Sequence, residues 1–152
     1  MSSSSLRREF PVVLLALAVS LFVLSPTAQA VTPAPDGGYP NGNTAEGDGA
    51  LFNLKIPFGM YNTAIGFEAL FSNTFGLSNT ATGVDALFSN TFAESNTATG
   101  AQALQNNTSG VNNTATGDKA LFSNITGSSN TATGGEALFR NTTGDLNTAN
   151  RC

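Results

Sequence analysis

The chain has 152 residues, a formal net charge of −4 and charged side chains at only 11% of its positions. An ordinary globular protein carries about 25%, so a conventional charged, solvated surface is excluded. There is no His and no Trp, and the one cysteine is Cys152, which removes imidazole acid–base chemistry, Cys/His metal centres and a disulfide framework. Neither an enzyme nor a bound cofactor is expected.

Residues 1–30 read as an export signal. Arg7 and Arg8 precede an apolar stretch from Pro11 to Leu24, and Ala28-Gln29-Ala30 is a small-x-small cleavage site. At about 1.5 Å per residue the stretch reaches about 21 Å as a helix, short of the roughly 30 Å of a bilayer core. The arginine pair alone, followed by Glu9 and Pro11, favours general secretion over a twin-arginine route. No cysteine follows the stretch to carry a lipid, and no later apolar run could span a membrane, so the mature chain is expected to be exported, extracellular or at the cell surface. Beyond residue 30 four basic residues stand against nine acidic ones, a net charge of −5, with no basic cluster to gather phosphates. Nucleic acid is therefore not an expected partner.

Residues 31–42 form a Pro/Gly-rich leader, and from there the chain repeats. Asn-Thr-Ala recurs at Asn62, Asn79, Asn96, Asn113, Asn130 and Asn147, always 17 residues apart. Five units, 62–146, follow a template close to N-T-A-T-G-x-x-A-L-F-S-N-T-x-G-x-x. A degenerate 19-residue unit, 43–61, precedes them, and 147–152 begin a sixth repeat that stops partway, so either the array is a piece of a longer one, the favoured expectation, or its ends are completed by other chains. Cys152 is read as an incident of that stop. The unit is too short for a helix pair and too long for a heptad. An all-β fold follows: a parallel β-roll or β-solenoid of about six coils, roughly 29 Å long at the usual strand spacing, with room for short helical turns.

Within each unit the glycines at positions five and fifteen are expected at turns, where positive φ is needed, and Ala93 at position fifteen predicts a locally different turn. Alternation along Asn-Thr-Ala-Thr sends Asn and Ala inward, where stacked Asn would form amide ladders. It sends the threonines outward, giving the exposed ladder Thr80, Thr82, Thr97, Thr99, Thr114, Thr116, Thr131 and Thr133. Ala-Leu-Phe is harder to place, because three consecutive apolar residues cannot all face inward from one strand. Either a single helical turn brings two of them in, or the row Phe71, Phe88, Phe122 and Phe139 lies on an outer face as an association surface, interrupted by Gln105.

The N-T-A-T-G and N-T-A-I-G segments resemble the short N-x-A-x-G repeats of trimeric autotransporter adhesin heads, and still more the longer repeats of other exported bacterial proteins. The likeness covers roughly 43–149. It implies a β-roll, a homotrimer packed side by side and a binding surface for a host or matrix ligand. The adhesin unit is shorter than 17 residues, and the heptad stalk and outer-membrane anchor of complete adhesins do not occur in this sequence.

Two further classes compete with an adhesin-like structural protein. Paired Thr rows of this kind also occur on ice-binding solenoids, although the pattern fails at Thr63-Ala64-Ile65 and Thr44-Ala45-Glu46. A polysaccharide-cleaving enzyme would draw on Glu68, Asp85, Asp118 and Glu136. Position seven, however, reads Glu68, Asp85, Gln102, Lys119, Glu136, a row that changes sign like a solvated face, and the Gly-Gly-x-Gly-x-Asp pattern of calcium β-rolls is absent. The sequons at Asn106, Asn107, Asn112, Asn124 and Asn141 follow from the Asn/Thr repeat itself and are read as structural.

Overall fold

A computed structural model describes residues 39–152; the expected export signal, 1–30, and most of the expected leader lie outside the described residues. Each unit contributes one three-residue strand: β1 (Thr44–Glu46), β2 (Thr63–Ile65), β3 (Thr80–Thr82), β4 (Thr97–Thr99), β5 (Thr114–Thr116), β6 (Thr131–Thr133) and β7 (Thr148–Asn150). The strands pair in sequence order as one parallel sheet, Thr over Thr and Ala over Ala, which makes the chain a β-solenoid of about six turns with a 17-residue repeat. The central alanine of β1 to β6 is buried and the flanking threonines mostly face out, as alternation requires.

Helical turns do not solve the Ala-Leu-Phe problem. From position five to position twelve the chain makes three consecutive tight turns, in the second described coil Ala69 N–H to Gly66, Phe71 N–H to Glu68 and Asn73 N–H to Leu70. Positions seven and nine hold positive φ, 53° at Glu68 and 52° at Leu70, and Leu51, Leu87, Leu104, Leu121 and Leu138 repeat the value. Turning the backbone at Leu lets it and the preceding Ala both point into the solenoid, where Ala69, Leu70, Ala86 and Leu87 are fully buried. A left-handed leucine costs roughly 1–2 kcal/mol. Burying its side chain returns about 1.5–3 kcal/mol, and its N–H is satisfied by the next coil, Leu70 to the Ala86 carbonyl at 3.0 Å. The strain is thereby offset.

The rest of the interior is polar. Asn62, Asn79, Asn96, Asn113 and Asn130 at position one, and Asn73, Asn90, Asn107 and Asn124 at position twelve, are buried completely. Asn96 shows the pattern. Its Nδ2 donates to Asn79 Oδ1 at 3.3 Å and to the Gly110 carbonyl at 2.9 Å. Its Oδ1 accepts the Asn113 N–H at 2.9 Å and Asn113 Nδ2 at 3.1 Å. The position-twelve Asn107 donates to Asn90 Oδ1 and to the same Gly110 carbonyl, so two columns of amides meet at one carbonyl in each of the five 17-residue coils. Every donor of the Asn96 amide is used, and its oxygen accepts twice, which is its capacity.

Two turn expectations need correction. The glycines at position five do carry positive φ, 132° at Gly66 and Gly100, but those at position fifteen do not. Gly110 is required for space: a Cβ there would lie 2.3 Å from the Gly127 carbonyl oxygen and 2.5 Å from Asn107 Oδ1. Nor does Ala93 change the turn, since its carbonyl still accepts Asn79 and Asn90 at 2.8 and 3.1 Å. The methyl group is accommodated by stretching. The Asn107 to Asn90 rung is 3.3 Å, against 2.8 Å for Asn90 to Asn73 and 2.9 Å for Asn124 to Asn107.

The first coil is adapted as an end. Leu54 occupies position twelve in place of Asn and packs against the apolar core. Lys55 N–H pairs with the Thr74 carbonyl and the Phe58 ring meets Phe75, so the two extra residues of this coil are Ile56 and Pro57. Asn43 has no preceding asparagine, and its Nδ2 donates to the Pro40 carbonyl at 2.7 Å and to Gly59 at 2.9 Å. Pro40–Gly42 form a short 3₁₀ turn in which Asn41 has φ 65°. Tyr39 packs against the core from this end; its hydroxyl is buried without a partner, and burial pushes its pKa up. The last residues assigned to the leader are thus an integral cap.

Two substitutions test this account. Asn96→Asp sets a buried acceptor against the Asn79 amide oxygen and the Gly110 carbonyl, and is expected to cost about 3 kcal/mol or more at neutral pH. Its folded-state pKa is raised above the usual value near 3.9, so the native state binds the extra proton. The deficit relative to the parent should therefore shrink on acidification to about pH 3 and grow as pH rises, as read by denaturant unfolding. Gly110→Ala, which puts a methyl against the Asn124 to Asn107 rung, one coil beyond the rung stretched by Ala93, is expected to cost about 1–3 kcal/mol in the same measurement.

Candidate functional site

With the asparagines of positions one and twelve and the Ala-Leu pairs turned inward, function is left to the outer rows. On the sheet face, position two is threonine in all seven strands, and the register places Thr44, Thr63, Thr80, Thr97, Thr114, Thr131 and Thr148 side by side. Position four is threonine in β3 to β6 and becomes Glu46, Ile65 and Asn150 in the remaining strands. All eight residues expected in the exposed ladder lie on this face; Thr82 is half-buried and the other seven are exposed. The residue two before the first threonine is exposed as well, so Ser78, Ser95, Asn112 and Ser129 add a third polar row that alternation within the strand did not reveal. Their positive φ, 55–57°, marks the corner where the coil enters the strand.

The aromatic row lies on another part of the coil. Phe71 and Phe88 stack at 5.2 Å with their planes 2° apart, and Phe122 and Phe139 at 5.0 Å and 6°. All four are half-buried, and Phe52 extends the row at one end with a 5.3 Å stack on Phe71. Gln105 separates the two stacked pairs. A second aromatic row, missed in the sequence, occupies position fourteen: Phe75 stacks on Phe92 at 5.3 Å, and Phe58 tilts against Phe75 at 5.6 Å. It is the more open row, with Phe58 58% and Phe92 61% exposed. The shared position of Phe75 and Phe92 was visible in the repeat, but the inserted Ile56-Pro57 hid Phe58. Together with Ile65, Phe67 and Val84 these rings concentrate exposed apolar surface in the early coils.

Among the described residues no group of three or more His, Cys, Asp or Glu side chains could hold a metal ion. Glu68, Asp85, Lys119 and Glu136 stay in the position-seven row with Gln102, and Asp118 lies one position earlier in its coil. Glu136 pairs with Arg151 at 3.0 Å with both side chains exposed, a contact of about 0–1 kcal/mol. Of the sequon asparagines, Asn107 and Asn124 have their Nδ2 atoms committed inside the ladder, Asn141 is part of it, and Asn106 donates to the Phe122 carbonyl. Asn112 alone is exposed. No helix among the described residues is long and apolar enough to cross a membrane.

Filling the gap in the first aromatic row gives a direct test of its energetics. Gln105→Phe places a ring between Phe88 and Phe122 and should create two stacked contacts, each about 0.5–1.5 kcal/mol, raising the thermal midpoint. The chain matches no protein-family model, no curated protein and no solved structure.

Proposed function

We propose that the chain is an exported, non-enzymatic structural protein, adhesin-like, that presents its threonine face as a repetitive surface for attachment or multivalent binding. The observation that carries this reading is the in-register sheet: identical outward groups recur at every strand on a rigid frame. Weak contacts held at fixed spacing act together, because each engaged site raises the effective concentration of the next. The absence of His gives no support to imidazole-based hydrolysis.

The aromatic rows serve in this reading as the flank along which copies associate, the trimer being the state implied by the resemblance to adhesin heads. Phe71, Phe88, Phe122 and Phe139 would be covered together with Phe58, Phe75 and Phe92, leaving the threonine face open. The resemblance and the uncommitted apolar surface in the early coils both support this arrangement.

The test is made on the chain expressed with its own N-terminal segment in a bacterial host. Mass spectrometry of the exported fraction should find a product beginning at Val31, and sedimentation equilibrium should give three times that mass. A product retained inside the cell, or a monomer that turns over a substrate, would overturn the reading.

A further inference from the structure

The composition of the threonine face narrows what it can bind. From β3 to β6 the three outward rows are Ser78, Ser95, Asn112 and Ser129; Thr80, Thr97, Thr114 and Thr131; and Thr82, Thr99, Thr116 and Thr133. None is charged and none is aromatic. The rows repeat about every 4.8 Å between strands, the two threonine rows of each strand lie about 6.6 Å apart, and the Ser/Asn row flanks them from the corner that precedes the strand. Threonine adds stiffness, since a β-branched side chain is restricted at χ1. Each hydroxyl both donates and accepts, and each threonine carries a methyl group beside it.

A macromolecular ligand would call for something this patch lacks. Sugar rings are held by the faces of aromatic side chains; here the stacked rings lie at positions ten and fourteen, and the exposed Tyr61 and Phe67 lie in the coils before β3 rather than within the patch. Anionic ligands need basic residues, and cationic ones need acids. A neutral lattice of hydroxyl and methyl groups matches a ligand that is itself a neutral lattice of donors and acceptors. The geometry points to the surface of ice, met by the Thr/Ser patch of β3 to β6, with Glu46 and Ile65 ending the patch on one side and Asn150 on the other. The patch spans only three strand spacings, so a small mismatch between protein and crystal does not accumulate along it.

This inference rests on the threonine face being the binding surface, and its failure can be told apart from the failure of that reading. The exported chain is assayed for inhibition of ice recrystallisation beside Thr99→Tyr/Thr116→Tyr, in the centre of the patch, and Thr143→Tyr, exposed at position fourteen away from it; circular dichroism establishes that each is folded. The parent and Thr143→Tyr should inhibit growth at equal concentration, and the double variant should need at least about tenfold more. A folded parent without activity, or a double variant as active as the parent, overturns the inference. Adsorption of the same three proteins to crystalline cellulose and chitin separates the two levels: adsorption lost only in the double variant, without ice activity, keeps the face as a binding surface and replaces ice by polysaccharide. Adsorption to none of these solids removes the face from function altogether.

Discussion

Every coil of this protein must present its hydrogen-bonding groups at the height where the next coil expects them, and the buried asparagine amides enforce that condition. A side-chain amide that bonds above, below and across its own coil ties three pieces of backbone to one another. Asn113 does so through Asn96, through the Gly127 carbonyl and through Asn130. Slippage by one residue would leave buried amides and carbonyls unpaired, at about 1–3 kcal/mol each, in every coil at once. The apolar part of the interior, one leucine and two alanines per coil, is too thin to set register by itself. It fills the space that the amides define.

Much of this was legible because the repeat is strict. Position one and position three of the unit read inward by simple alternation, and Asn96, Ala98, Asn113 and Ala115 are buried accordingly. The strand is only three residues long, and beyond it alternation has no authority. Leucine at position nine is a residue that avoids positive φ, so nothing in its identity announces that the chain turns there; the turn is tied to stacking, in which the Leu N–H pairs with the alanine carbonyl of the next coil. Glycine at position fifteen misleads in the opposite sense. Its sequence signal is that of a turn, while its role is to let an amide and a carbonyl approach where a methyl group would stand.

The outer rows were legible in position and less so in chemistry. The threonine ladder needed only the repeat and the strand. The serine row needed the corner at Ser95 and Ser129, where a left-handed residue keeps its side chain outside although it lies beyond the strand. The ring stacking needed the true path of the turns, and the insertion in the first coil concealed one of its members. Faces that share a coil are thus separated by chemistry: hydroxyls on the sheet, rings on the flank, amides within.

The amide columns have a polarity that the sheet does not. Inter-coil backbone bonds run both ways, Thr80 N–H toward Asn96 and Gly100 N–H toward Thr82, so their dipoles largely cancel. Through the middle coils the Nδ2 atoms of both asparagine columns point back toward the preceding coil, from Asn113 to Asn96 and from Asn124 to Asn107. The side-chain dipoles therefore add along the solenoid axis in the manner of a helix, and neighbouring amides polarise one another. The positive end meets the Pro40 carbonyl, and partial negative charge gathers at the amide oxygens of the opposite end. A neutral interior without a single ionised group thus gives the array an electrical axis as well as a geometric one.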